Sequence, residues 1–315
     1  MISIKKYTDD QKIVWNKFNK ESKNYLFMFD RNYMDYHKDR FKDHSLMFFD
    51  DDKLIAILPM SEHDQNLISH GGLTYGGFIS STKMKQHTMN ECFDELMDYA
   101  NKNNFKKICY KCIPHIYHSQ SAEEDRFALY ANGAKLAIVD VSTYVNLDNP
   151  LKMPKGRKAQ ISRARREGVI VEELIELEDF QKFIALENEV LGERHDTKAV
   201  HTGEELKLLY DRFPNNIHLF GAKKDGKLIA GTVVYEYDHV VHTQYMAAND
   251  EARTIGALDL AVATVIEKYR DNKKWLDFGI STEHGKIYLN KGLCAQKEGF
   301  GGRTGTYEIW ELAVS

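Results

Sequence analysis

The period of the hydrophobic positions changes several times along this chain, and each change marks an element. Over 88–102, Met89, Cys92, Phe93, Leu96 and Tyr99 recur at helical spacing, which predicts a helix with one buried face. Residues 179–191 repeat that pattern with Phe180, Phe183, Ile184 and Leu186 on one side, and 202–213 reads as a further helix. A helix over 9–20 is opened by Thr8 or Asp9 as N-cap, and 123–132 predicts a shorter one. Between the helices lie β-branched and aromatic runs bounded by turn residues. They predict strands at 45–49 and 53–59 around Asp50-Asp51-Asp52, and at 105–113, 135–147, 239–248, 275–281 and 306–313. Lys224-Asp225-Gly226 separates 217–223 from 227–237, and an Asp-Gly pair in that setting is a hairpin signal.

The order helix, hairpin, helix, strand occurs twice, so the chain reads as an α/β protein of two similar domains, 1–148 and 149–315. The division is expected near Asp148-Asn149-Pro150, and the last strand, 306–313, is able to close either sheet. A length of 315 residues with 43% hydrophobic and 11% aromatic content supplies two packed cores. The formal net charge of −4 argues against a globally basic nucleic-acid binder. No apolar run approaches the roughly 18–20 residues that span a bilayer, and the first residues lack a signal peptide's apolar core. A cytoplasmic protein without stable membrane insertion is therefore expected; its oligomeric state stays open. Cys109 and Cys112, with His115 and His118 after them, invite a zinc reading. A strand through 107–113 turns the two cysteines to opposite faces, so no metal is expected.

Four groups of residues are candidates for chemistry. Arg253-Thr254-Ile255-Gly256-Ala257 joins a strand to an amphipathic helix. A glycine there lets first-turn amides approach an anion, which Arg253 would also attract, although the same turn serves as a plain connection. From Lys152 to Arg166 the chain carries seven basic residues and no acid, with Arg157, Lys158 and Arg165 on one helical face suited to a polyanionic substrate. His195 and His201 lie in a polar segment between two helices. On the strand, alternation gives His242 and Gln244 one face and Tyr245 the other; a histidine near its ordinary pKa is a competent general base. Asp277, Ser281, Asn290 and Lys297 gather near the following strand as candidate acceptor-binding groups, with Gly301-Gly302 beyond them.

With those residues in place, the chain resembles the acetyltransferase fold called GNAT, and over nearly its full length the FemAB-like branch, where two such domains sit in tandem. The resemblance rests on Lys155-Gly156-Arg157-Lys158, Ile161-Ser162-Arg163-Ala164-Arg165, Arg253 to Asp259, Asp277-Phe278-Gly279-Ile280-Ser281 and Lys297-Glu298-Gly299-Phe300-Gly301. In the N-terminal half it rests on arrangement and on Pro114-His115-Ile116-Tyr117-His118. It implies two domains, each a mixed, mostly antiparallel sheet flanked by helices. It also implies acyl transfer by direct attack on a carbonyl held between two splayed strands. The implied donor is acetyl-CoA or another acyl-CoA, with charged tRNA as the alternative in Fem-type transferases, and the acceptor is a small molecule. A silent tandem domain that binds a ligand or a partner protein is a third reading. The usual pyrophosphate loop reads Arg/Gln-x-x-Gly-x-Gly/Ala, and this chain departs from it at Leu258.

Overall fold

A computed structural model describes residues 1–195, 199–283 and 287–314, with only the backbone described for 37 and 193–195. The chain forms two compact units, one of Met1–Asp140 with Thr306–Ser315 and the other of Val141–Gly305.

In chain order, the first unit holds β1 (Ile2–Lys6), α1 (Lys12–Glu21), α2 (Arg31–Met34), β2 (Lys42–Asp43), β3 (Leu46–Asp50), β4 (Lys53–Leu58), β5 (Ser61–His63) and β6 (Asn66–Ile68). β7 (Ile79–Ser80), α3 (Gln86–Lys102), β8 (Lys107–Lys111) and α4 (Glu124–Ala131) follow. β1, β3, β4 and β7 make one antiparallel sheet. Met89, Cys92, Phe93 and Leu96 of α3 are buried among Phe48, Phe78 and Tyr110, so the helical period read from 88–102 is the packing face. β9 (Lys135–Asn146) is a single long strand that crosses the division between the units.

The second unit holds α5 (Lys155–Arg166), β10 (Ile170–Leu174), α6 (Leu177–His195), α7 (Gly203–Arg212), β11 (Ile217–Lys224), β12 (Lys227–Glu236) and β13 (Val240–Ala248). α8 (Asp250–Ile255), α9 (Ala257–Tyr269), β14 (Trp275–Ile280) and α10 (Lys291–Glu298) complete it. β15 (Arg303–Ala313) then returns to the first unit, where Ile309–Ala313 pairs antiparallel with β8. In the second unit β10 to β13 are antiparallel neighbours, β14 lies parallel to β13, and the end of β9 closes on β14. Asp225 and Gly226 take φ of +50° and +76°, the left-handed pair that the β11–β12 hairpin requires.

The two faces of this sheet differ. Val234, Val241 and Leu276 pack with Val262, Val265 and Ile266 of α9, and Ala230 and Ala248 pack with Leu260 and Ala261. The other face, carrying Gly231, Val233 and Tyr235, lies under α6: a Cβ on Gly231 would stand 3.0 Å from Phe183. Between β12 and β13 the register slips at Val233/Val234, so Val234 faces Thr243 while Val233 faces Tyr245. Gln244 is thus an extra residue, and a bulge of this kind shifts the alternation by one. Tyr245 consequently shares the α6 face with His242. The alternation expected from the sequence placed them on opposite faces, and the bulge is the reason it fails.

Gly256, at φ +80°, breaks what would otherwise be one helix into α8 and α9, and a Cβ there would stand 2.7 Å from the Gln160 carbonyl. Gly256→Ala is therefore expected to destabilise by about 1–3 kcal/mol. Gly156→Ala in α5, where nothing lies within reach of a Cβ, is expected to be neutral or to stabilise by up to about 1 kcal/mol. Urea unfolding of the two variants checks the contrast.

Candidate functional site

β13 and β14 pair only through Val240↔Trp275, Val241↔Leu276 and His242↔Asp277; beyond that point they part. β14 also loses its register with β9 between Asp277 and Ile280, and Gly279 within that gap takes φ +69°. The parting is built around Asp277, a fully buried carboxylate. Its Oδ1 accepts from Ser142 Oγ (2.7 Å) and from the Gly279 amide (2.9 Å), and its Oδ2 lies 3.2 Å from His242 Nδ1. A buried carboxylate is tolerable only when its lone pairs are answered in this way. With Nδ1–H donating to Asp277, the imidazole of His242 is held in one tautomer and one orientation. Its ring lies against Gly279, where a Cβ would be 3.3 Å from Cε1.

Lys297 comes up from α10 to the same place. Its ammonium donates to the carbonyls of Gly279 (2.9 Å) and Ile280 (2.6 Å), and burial lowers its pKa to about 8 against the opposing pull of Asp277. Asn290 caps α10, its Oδ1 accepting from the Leu293 amide, and its own amide donates to the Ser281 carbonyl. Ser281 is buried. The structure therefore brings His242, Asp277 and Lys297 together, with Ser142 as a member the sequence reading missed. Ser142 lies within a long β-strand run, where one serine gives no signal of its own.

On the α6 face, His201 Nδ1 hydrogen-bonds the Tyr245 hydroxyl, and the two rings meet edge to face at 5.7 Å. His201 is buried, and Tyr245 lies on the part of β13 that has left β14. Gln244 is the bulge residue beside it. His195 is the last residue of α6, and its side chain lies outside the described residues.

Glu187 is a further group on this face. It is buried on α6, its Oε2 has no hydrogen-bond partner, and burial alone raises its pKa to about 7. The sequence does carry a signal for it: Glu187 falls one turn after Phe183 and so occupies a position that the helical period assigns to the core.

Arg253, Thr254 and Ile255 do not form an open loop before α9; they belong to α8, which Asn249 caps through Ala252 N (2.9 Å). The amides of Arg253 and Gly256 are spent on the carbonyls of Asn249 and Ala252. The Leu260 amide bonds to the Gly256 carbonyl, so the open donors are those of the first turn of α9, with Ala257 itself fully buried. Leu258 and Asp259 border a cavity of about 560 Å³ with Arg157, Arg253, Gly256 and Gly299. Within it Arg157 is already engaged: it ion-pairs with Asp259, donates to the Gln296 carbonyl at 2.9 Å and stacks over Phe300 at 4.4 Å. Among the described residues, Arg253 pairs only with exposed Asp250, at 2.6 Å. Lys158 and Arg165 are exposed on α5, so the basic face is divided: Arg157 is drawn inward and the others face solvent. Among the described residues, no group of three or more His, Cys, Asp or Glu is arranged to hold a metal, and no helix is long and apolar enough to cross a membrane.

Residues 155–286 match the family model described as an acetyltransferase (GNAT) domain. The chain is similar in structure to FemX, with a TM-score of 0.68 at 13% identity, covering 97% of this chain and 96% of that one. It is similar to L-PGS from Bacillus licheniformis, with a TM-score of 0.66 at 12% identity, covering 99% and 93%. It is also similar to a tandem GNAT protein from the clavulanic acid biosynthesis pathway, with a TM-score of 0.54 at 10% identity, covering 100% and 99%. No curated protein matches the chain in sequence. The fold is a tandem GNAT fold.

Glu187 makes a stability prediction. A carboxyl whose pKa rises to about 7 on folding binds a proton that the unfolded chain has already released. Its contribution is therefore present below the ordinary carboxylate range and is lost as pH climbs through about 7. Glu187→Gln is expected to remove a decline on the order of 2–3 kcal/mol between about pH 4.5 and 7, measured by denaturant unfolding across that window.

Proposed function

We propose, taking the tandem GNAT fold as the premise, that this protein is an acyltransferase. It moves an acyl group, acetyl in the simplest case, from acyl-CoA to an amine or hydroxyl of a small metabolite such as an amino sugar, an amino acid or an envelope precursor. The observation that carries this reading is the parting of β13 and β14 beyond His242 and Asp277. The edge of β13 released there presents backbone N–H groups that can hold a thioester carbonyl and oppose the charge it develops under attack. The phosphates of CoA fit the cavity at the start of α9. Arg253 is available to them, because its pair with exposed Asp250 is a surface ion pair of small worth. Transfer is direct, with no covalent enzyme intermediate. Tyr245, backed by His201, returns a proton to the leaving group, while His242 and Asp277 fix the end of the opening.

One observation favours a second donor, an aminoacyl-tRNA. The amides of Arg253 and Gly256 are consumed within α8 and Arg157 is neutralised by Asp259, which leaves a spare anion cradle. Meanwhile Lys155, Lys158, Arg163, Arg165 and Arg166 of α5 remain exposed with no acid among them, a surface suited to a phosphate backbone.

Thermal unfolding with acetyl-CoA, longer acyl-CoAs and charged tRNA separates the two. Under the first reading an acyl-CoA raises Tm, and Arg253→Ala weakens that binding roughly 10-fold. A salt-sensitive shift with charged tRNA, and none with any CoA ester, replaces the first reading with the second. No shift from either would leave a ligand- or partner-binding protein of the same fold.

A further inference from the structure

At the end of the α9 face, away from the parted strands, five charged side chains form a chain of alternating sign. Its centre is His218 of β11, which shares a face with Phe220 and so lies on the side packed by Val265 and Ile266 of α9. His218 is buried. Its Nδ1 lies 2.5 Å from Glu173 Oε1 on β10, and its Nε2 lies 3.3 Å from Glu236 Oε2 at the end of β12. Each carboxylate has a lysine on its other side. Lys268 of α9 stands 2.7 Å from Glu173, and Lys273, between α9 and β14, stands 2.8 Å from Glu236. Lys268 also lies over the Phe220 ring at 4.9 Å, and Lys273 donates to the Tyr237 carbonyl at 2.6 Å. Tyr269, buried on α9, faces both carboxylates.

Both ring nitrogens of His218 therefore face carboxylate oxygens. A neutral imidazole has a single N–H, so one nitrogen would turn its lone pair toward a carboxylate; the imidazolium has a proton for each. We propose that His218 is a proton-operated clasp: doubly protonated, it ties β10 on one side and the end of β12 on the other to β11, and loss of one proton loosens β10. β10 gives way first because, among the described residues, it is the edge of the sheet and pairs on one side only. The β12 end is held besides by Lys273, and the turn after it by the His239 carbonyl, which accepts from the amides of Lys274 and Trp275. Neither acyl donor enters into this clasp, so it stands apart from the choice between them.

The charges around His218 give the clasp a direction in pH. Burial opposes a charge on the imidazole, but Glu236 and Glu173 outweigh it and hold its pKa above the ordinary 6.5. Burial opposes charge on the carboxylates too, yet Lys268 and His218 keep Glu173 below the ordinary 4.5, and His218 and Lys273 keep Glu236 at about 2. A group whose pKa rises on folding stabilises fully below its unfolded value, and that contribution is lost as pH climbs through the folded value. For the two carboxylates the contribution is present above about 4.5 and is lost as pH falls. The clasp is thus complete between about pH 4.5 and 6.5 and opens on the alkaline side. Glu187 titrates in a neighbouring range, so the readout has to be local to β10.

The test follows amide hydrogen exchange in the full chain, as wild type, His218→Gln and Glu173→Gln, between about pH 5.5 and about pH 8.5. Each rate is divided by the intrinsic rate at the same pH, which leaves the protection given by structure. Wild-type protection of Ile170–Leu174 is expected to fall on the order of 5-fold across that range. His218→Gln cannot carry the charge, and Glu173→Gln keeps the histidine but removes its partner on β10. Both variants are expected to begin at the lower protection and to stay level as pH rises. Glu173 lies exposed on the edge strand, so Glu173→Gln carries the comparison if His218→Gln does not fold. Level protection in the wild type overturns the clasp, and so does a fall of wild-type size in either variant.

Discussion

The second unit depends on one buried carboxylate. Asp277 has no contact with water, so its lone pairs must be answered by the fold, and each answer fixes something else. Ser142 ties the end of β9 to β14, and His242 marks the last paired position of β13. The Gly279 amide folds back two residues and forces the backbone into a left-handed turn. That turn directs the carbonyls of Gly279 and Ile280 toward Lys297, so α10 is pinned to the same point. Removing the carboxylate would strand three donors at once, a larger loss than one hydrogen bond. The opening between β13 and β14 is thus held apart by polar satisfaction rather than by packing.

The chain's cations show a related economy. Arg157 is half-buried and Lys297 buried, and both are already committed to groups of the protein. Arg157 bridges α5, α9 and α10, and its stacking on Phe300 makes it part of the wall of the cavity. An anion arriving at α9 meets first-turn amides and Arg253, beside an Arg157–Asp259 pair of little net charge. That arrangement binds by geometry more than by field, whereas the exposed basic residues of α5 act by field more than by geometry.

Features that rest on local rules were legible in the sequence. The core face of α3, the Asp225-Gly226 hairpin and the long strands of the second unit follow from period and turn chemistry, and the structure keeps them. What depended on pairing was not legible. The bulge at Gln244 exists only because β13 is one residue longer than the stretch of β12 it faces, and no residue type in 241–246 announces it. It moved Tyr245 to the face of His242 and so created the cluster that strict alternation had divided. α8 is an intermediate case: Asn249 followed by Asp250 and Glu251 is an ordinary helix start, but the glycine four residues beyond Ala252 drew the reading toward a loop. Glu187 was visible as a polar residue on an apolar face, and only the lack of a partner for its buried Oε2 gives it meaning.

The contrast between the two faces of the sheet explains how such a residue can persist. Under α9 the sheet buries Val234, Val241, Leu276, Val262, Val265 and Ile266, each worth roughly 1.5–3 kcal/mol when fully buried. That face supplies the cohesion and is free of acid–base chemistry at its centre. Under α6 the same strands carry His242, Tyr245 and Asp277, with His201 bonded to Tyr245 and Glu187 buried on α6, and there the burial of polar groups opposes stability. A fold that places its cohesion on one side can hold strained backbone and a buried carboxylate oxygen without a hydrogen bond on the other. The bulge, the left-handed Gly279 and the lone Glu187 all fall on or beside the second face. Local rules break where a substrate would have to be held, because a site fully satisfied by its own protein would have nothing left to offer a ligand.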